Sequence, residues 1–299
     1  MEQTEPLIHW PQPFVEYLGF LAAFLAAGAV GFRYSALRGR LGARSGAPGE
    51  ERQVLEQAAR RAAALGLLGL LISAVLFATR LPGMAVRQHT TVLHLLTGAA
   101  PVVTQIALML LAVVGFALAA RGGALGWPLA ATGVVAGALR AAFFGQWARL
   151  VTPLHMLAGG MWIGTLFMLV FAGLGRVLRS GLPSERRGAV AAEMVNAFSP
   201  FALGSAAVLA TFGVITAWQH LKGLASLWTT PYGITLIIKL CVVLAVVGLG
   251  AWNWRRQSPR LGTESGALGL RGSARAELAV AAVVLAITAI LVSLPSPNE

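Results

Sequence analysis

The chain has 299 residues, 57% of them hydrophobic and only 11% charged, with a mean hydropathy of +0.74. Soluble domains carry about 25% charged residues, so this composition excludes one and points to an all-α integral membrane protein. The formal charge of +12 comes from 23 Lys plus Arg against 11 acids. All the acids are Glu, which removes every aspartate-dependent mechanism, and the single Cys241 allows neither an intrachain disulfide nor a Cys-x-x-Cys metal trap.

Runs of roughly 20 apolar residues are long enough to cross about 30 Å of hydrocarbon. They fall near 14–33, 62–80, 101–121, 125–144, 150–175, 197–220, 232–254 and 276–294, which predicts eight transmembrane helices. The start, Met1 to Glu5, is acidic and lacks the basic opening of a signal peptide, so the first span is expected to be retained. Cytoplasmic loops hold the excess of Lys and Arg. The loops after spans one, three, five and seven hold 17 basic residues against four on the other side (Arg80, Arg87, Arg149 and Lys222). Both termini are therefore expected outside, in the periplasm of a diderm bacterium. The basic residues lie between apolar runs with no base-reading module, so they set topology and do not bind nucleic acid.

The two halves read as parallel repeats, 1–145 and 146–299. Leu111 to Gly115 recurs as Leu244 to Gly248 at an offset of 133, at which Thr97 also meets Thr230 and Gly31 meets Gly164. The segments Gly46 to Glu50 and Gly181 to Glu185 each open a polar stretch with Pro and an early Glu, suited to a helix start.

Ionisable groups inside a bilayer cost about 2.5 to 3.5 kcal/mol on insertion scales and mark function. The five histidines, His9, His89, His94, His155 and His220, all fall on the outer side. Imidazole suits copper, zinc and haem iron, and thioether favours Cu(I). Met84, Met156 and Met161 share that side, whereas Met109, Met168 and Cys241 lie deeper. His89 and His94, five apart, sit about 140° around a helix and do not chelate from one face. His155, inside its span, is the strongest candidate, and Thr152, Gly159 and Trp162 share its face, with Gly159 and Gly160 admitting a neighbouring helix. Arg140 and Lys239 also lie within spans; they snorkel, hold anionic lipid or haem propionates, or pair with Glu16. Trp10, Trp147, Trp218 and Trp228 outside, and Trp127, Trp252 and Trp254 inside, read as interfacial belts. No nucleotide loop, zinc-protease helix or nucleophile elbow is present, and an enzyme is not expected.

His155-x6-Trp162-x-Gly164, Phe198-Ser199-Pro200, Leu227 to Gly233, Lys239, Asn253 and Arg275-x-Glu277 follow one another in an order that resembles the copper resistance D family, best over residues 150–295. The resemblance implies a bacterial inner-membrane protein that handles copper, proposed to move it across the membrane, often beside a periplasmic copper-binding partner. It carries over His155, Trp162, Gly164, Tyr232, Gly233, Lys239, Asn253 and Glu277. Of these only His155 is a good copper ligand; Tyr232 and Gly233 shape the start of span seven, and Asn253 with Glu277 ties its inner end to span eight. The expectation is copper captured at the outer face by His155 with His94, His89 or His220, aided by Met156 or Met84, then passing inward between the repeats. Membrane lipid surrounds the chain, and a homo-oligomer is admissible. The alternative is a b-type cytochrome with one outer haem b, ligated by His155 with His94 or His220 and met by Arg140 or Lys239.

Overall fold

A computed structural model describes residues 10–41, 49–257 and 262–296. In it the apolar runs become eight helices long and apolar enough to cross a membrane: α1 (Gln12–Tyr34), α2 (Gly49–Arg87), α3 (Ala100–Ala120), α4 (Gly126–Phe144), α5 (Trp147–Val177), α6 (Ser184–His220), α7 (Pro231–Arg256) and α8 (Glu264–Leu291). The segment Met1 to Glu5, His9, Arg44, Arg260 and the opening Gly46-Ala47-Pro48 lie outside the described residues.

Three helices start well before their apolar stretch. α2 begins with Glu50 and Glu51 in its first turn, where negative charge complements the helix dipole. Its 39 residues make a rod of about 58 Å, so its first turns project beyond the hydrocarbon on the basic side. α6 does the same from Ser184, directly after Pro183. α8 starts at Glu264, where the Thr263 hydroxyl accepts the Gly266 N–H at 3.1 Å as an N-cap. The polar stretches are thus continuous with their spans, in α6 across an internal Pro200.

α5 is the central element: 67% of its apolar stretch is buried, against 6% for α6. It crosses α1 where glycines remove every side chain from the contact. A Cβ on Gly28 would collide with the Gly164 main chain, and one on Gly164 with the Phe24 carbonyl. Gly159 and Gly160 face Phe24 and Ala27, so α1 is the helix admitted by that pair. Thr165 is fully buried here, its hydroxyl donating to the Gly28 carbonyl at 3.4 Å. At this crossing the main chains of α1 and α5 lie directly against one another.

Within the halves α1 pairs with α2, α3 with α4, α5 with α6, and α7 with α8. Trp127 is no interfacial anchor: it is buried, edge-on to Phe116 with ring centroids 6.0 Å apart. Trp10, Trp147, Trp218, Trp228, Trp252 and Trp254 are exposed.

On the basic side, projecting turns from both halves meet in a charged cluster. The Glu51 carboxylate, 1% exposed, accepts from Arg186 Nε at 2.6 Å and from Arg40 Nη2 at 3.3 Å. Glu193 pairs with both arginines, and Arg187 bonds Glu264 at 2.8 Å. Arg176 bonds Gln57, adding another tie between α2 and α5.

Candidate metal site

The outer part of α5 carries His155, half-buried against α6. Its Nδ1 lies 2.9 Å from the Leu209 carbonyl oxygen. A carbonyl only accepts, so Nδ1 holds the proton and donates, and Nε2 keeps its lone pair. That is the arrangement of a metal-binding imidazole, whose outer hydrogen bond fixes tautomer and ring direction. Gly213, one turn further along α6, makes room for the ring: a Cβ there would sit 3.0 Å from His155 Cε1.

His220, at the outer end of α6, has the same form. Its Nδ1 donates to the Thr216 carbonyl at 2.8 Å, and its ring stacks on buried Tyr232 with centroids 5.9 Å apart and planes 13° from parallel. Seven residues separate Gly213 from His220, so two turns bring them to the same face of α6, about 10 Å apart along the axis. His155 thus packs at Gly213, two turns along α6 from His220.

His89 and His94 are elsewhere. His89 is exposed in the turn after α2, where it is the only described non-glycine residue with positive φ, at 50°. His94 is exposed on the short helix Val92–Thr97, its N–H capped by the Thr91 hydroxyl at 3.1 Å, and that helix packs on α2 and α3. Met84 packs beside them against the small core of Leu81, Ala85, Leu95 and Val102. This segment packs with α2 and α3, whereas the His155 ring packs against α6. Among the described residues, no group of three or more His, Cys, Asp or Glu side chains converges as a metal cage.

Met156 is half-buried beside His155, and Met161 lies one and a half turns deeper. Met161 borders an apolar groove between α5 and α6 together with Leu157, Phe201 and Val208. Met168 is fully buried in the core, and Cys241 is exposed.

The remaining polar candidates also have definite places. Lys239 on α7 is half-buried and close enough for its charge to act on the His155 ring. Arg140 Nη1 donates to the Gly137 carbonyl of its own helix at 3.1 Å, and Glu16 pairs with Arg80 at 2.8 Å, so neither Arg140 nor Lys239 meets Glu16. Asn253 Nδ2 donates to Glu277 Oε1 at 2.5 Å, joining α7 to α8. Gly233 makes a tight elbow, its N–H bonded to the Thr230 hydroxyl at 3.0 Å, and a Cβ there would strike the Ser226 carbonyl. Trp162 packs half-buried against the core within a π-helical turn, Gly160–Gly164. A π turn takes in an extra residue and shifts the following side chains by about 100°.

Two features of the site escape sequence reasoning. The Leu209 carbonyl is main chain, which leaves no signature in residue type. Gly213 is one of 35 glycines, and only its position opposite an imidazole distinguishes it.

Residues 192–291 match the family described as copper resistance protein D. The matched region holds Tyr232, Gly233, Lys239, Asn253 and Glu277, whereas His155 and Trp162 precede it. A curated relative, "Copper transport protein CutJ" of Bacillus subtilis (strain 168), is 29% identical over 150 residues, which take in 50% of this chain and 26% of that protein. The chain thus aligns with about a quarter of that relative's length. No solved structure matches the chain. The similarity to copper resistance protein D thus spans most of α6 with α7 and α8, within a chain that has eight helices long and apolar enough to cross a membrane.

Proposed function

We propose that the chain takes up copper at the side bearing its termini, the periplasmic side by its charge asymmetry, and conducts it inward along the α5–α6 face. The observation that carries this reading is the His155 hydrogen bond to the Leu209 carbonyl, which leaves Nε2 free to bind metal. His220 receives the ion at the rim, His155 holds it within the bilayer, and Met161 offers a thioether further in, a ligand suited to Cu(I). Support comes from the copper resistance protein D match and the copper transport relative. The Lys239 ammonium near His155 opposes a resident cation, which suits a transit site more than a store. A separate periplasmic copper-binding protein is the natural donor.

The haem reading finds no favourable geometry. A bis-imidazole haem needs two rings facing across one iron, but His220 lies two turns along α6 from the glycine that His155 packs against, and His94 belongs to the α2–α3 corner.

The test is copper uptake into proteoliposomes containing the full chain, with the ion supplied outside as a Cu(I) chelate. Uptake above empty liposomes, lost in His155→Ala and reduced in His220→Ala, supports the pathway. Equal uptake by the two variants and the parent removes both residues from it.

A further inference from the structure

We infer that Arg179, Arg271 and Arg275 form a binding site for the phosphate of an anionic phospholipid, at the basic end of α5 against α8. Two guanidinium groups meet over a glycine: a Cβ on Gly175 would lie 3.2 Å from Arg271 Nη2 and 3.6 Å from Arg179 Nη2. Both are anchored through Nε, Arg179 to the Gly175 carbonyl at 2.8 Å and Arg271 to the Val170 carbonyl at 3.4 Å. Val170 belongs to the π-helical stretch Leu169–Leu174. The anchoring leaves the Nη groups as a preformed fork of donors, the geometry that phosphate oxygens accept. Arg275, one turn along α8 from Arg271, lies with its Cζ 5.7 Å from the centroid of the Phe171 ring, and the charges of Arg275 and Arg179 both bear on Arg271.

Among the described residues none of the three has a carboxylate partner. The acids that could serve are engaged elsewhere: Glu51 and Glu193 with Arg40 and Arg186, Glu264 with Arg187, and Glu277 with Asn253. Three like charges held together without a counter-ion call for an anion. The apolar flank selects a lipid over free phosphate. Phe171 is 40% exposed beside Arg275 and packs on Phe167 with centroids 4.7 Å apart, a surface along which an acyl chain runs while its headgroup meets the arginines. Basic pockets between membrane helices on the positive side are where anionic headgroups bind.

Thermal unfolding of the delipidated full chain in detergent tests this, with dioleoylphosphatidylglycerol, dioleoylphosphatidylcholine or inorganic phosphate added. Phosphatidylglycerol should raise the midpoint by about 5 °C and phosphatidylcholine should not. The shift should disappear in Arg271→Gln/Arg275→Gln and shrink in the exposed Arg179→Gln, yet persist in the exposed control Arg61→Gln. A shift from inorganic phosphate of the same size would overturn the lipid. Equal shifts from both lipids, or a shift retained in the Arg271/Arg275 variant, would overturn the site.

Discussion

The imidazole of His155 stands out in the sequence because an ionisable ring interrupts an apolar run, but what prepares it as a ligand is a carbonyl 54 residues away. Backbone acceptors have no residue-type signature, so the tautomer was unreadable while the residue itself was plain. The role of Gly213 is testable directly. Gly213→Val places atoms against the His155 ring and weakens its bond to Leu209, and outer hydrogen bonds of metal-binding histidines are worth about 10- to 100-fold in affinity. A competition titration against a Cu(I) chelator should show a loss of that size with the fold intact by circular dichroism. Lys239 acts in the opposite sense. Removing its charge in Lys239→Met should tighten copper binding by about tenfold, or about 1.4 kcal/mol, in the same titration; weaker binding would mean that the lysine supports the site. His89, His94 and Met84 shared a side with His155 in the sequence but not a corner in the fold, because sidedness fixes depth and says nothing about position around the bundle.

At the scale of elements, all eight apolar runs were visible as helices, since length and hydropathy are what a bilayer requires. Their extensions were harder to place. Glu51, in the first turn of α2, is buried between Arg40 and Arg186, and long-range partners of that kind are invisible to periodicity. Glu51→Gln removes the charge that both arginines share. Breaking a buried pair costs about 3 kcal/mol, and unfolding in mixed micelles of increasing denaturing detergent should report a loss of that order, with Glu56→Gln unchanged as an exposed control. The α1–α5 crossing was legible only as a set of glycines. Gly164→Val should lower stability by at least about 2 kcal/mol in the same assay, because the side chain would meet the main chain of α1, which cannot move aside as a flexible side chain can. The π-helical turns of α5 had no readable signal.

Across the whole molecule, the spans pair first with second, third with fourth, fifth with sixth and seventh with eighth, and α1 meets α5. The copper assignment rests on two independent supports: the family match over residues 192–291, and a prepared imidazole that lies before it, on α5. The matched helices α7 and α8 bring Lys239, Asn253 and Glu277, while α5 brings the proposed ligand His155. The most direct test combines metal analysis with an absorption spectrum of the detergent-purified chain expressed with added copper, alongside His155→Ala. Our account predicts copper close to one per chain, no Soret band, and loss of the copper in the variant. Stoichiometric iron with a Soret band, or copper retained in full by His155→Ala, would contradict it.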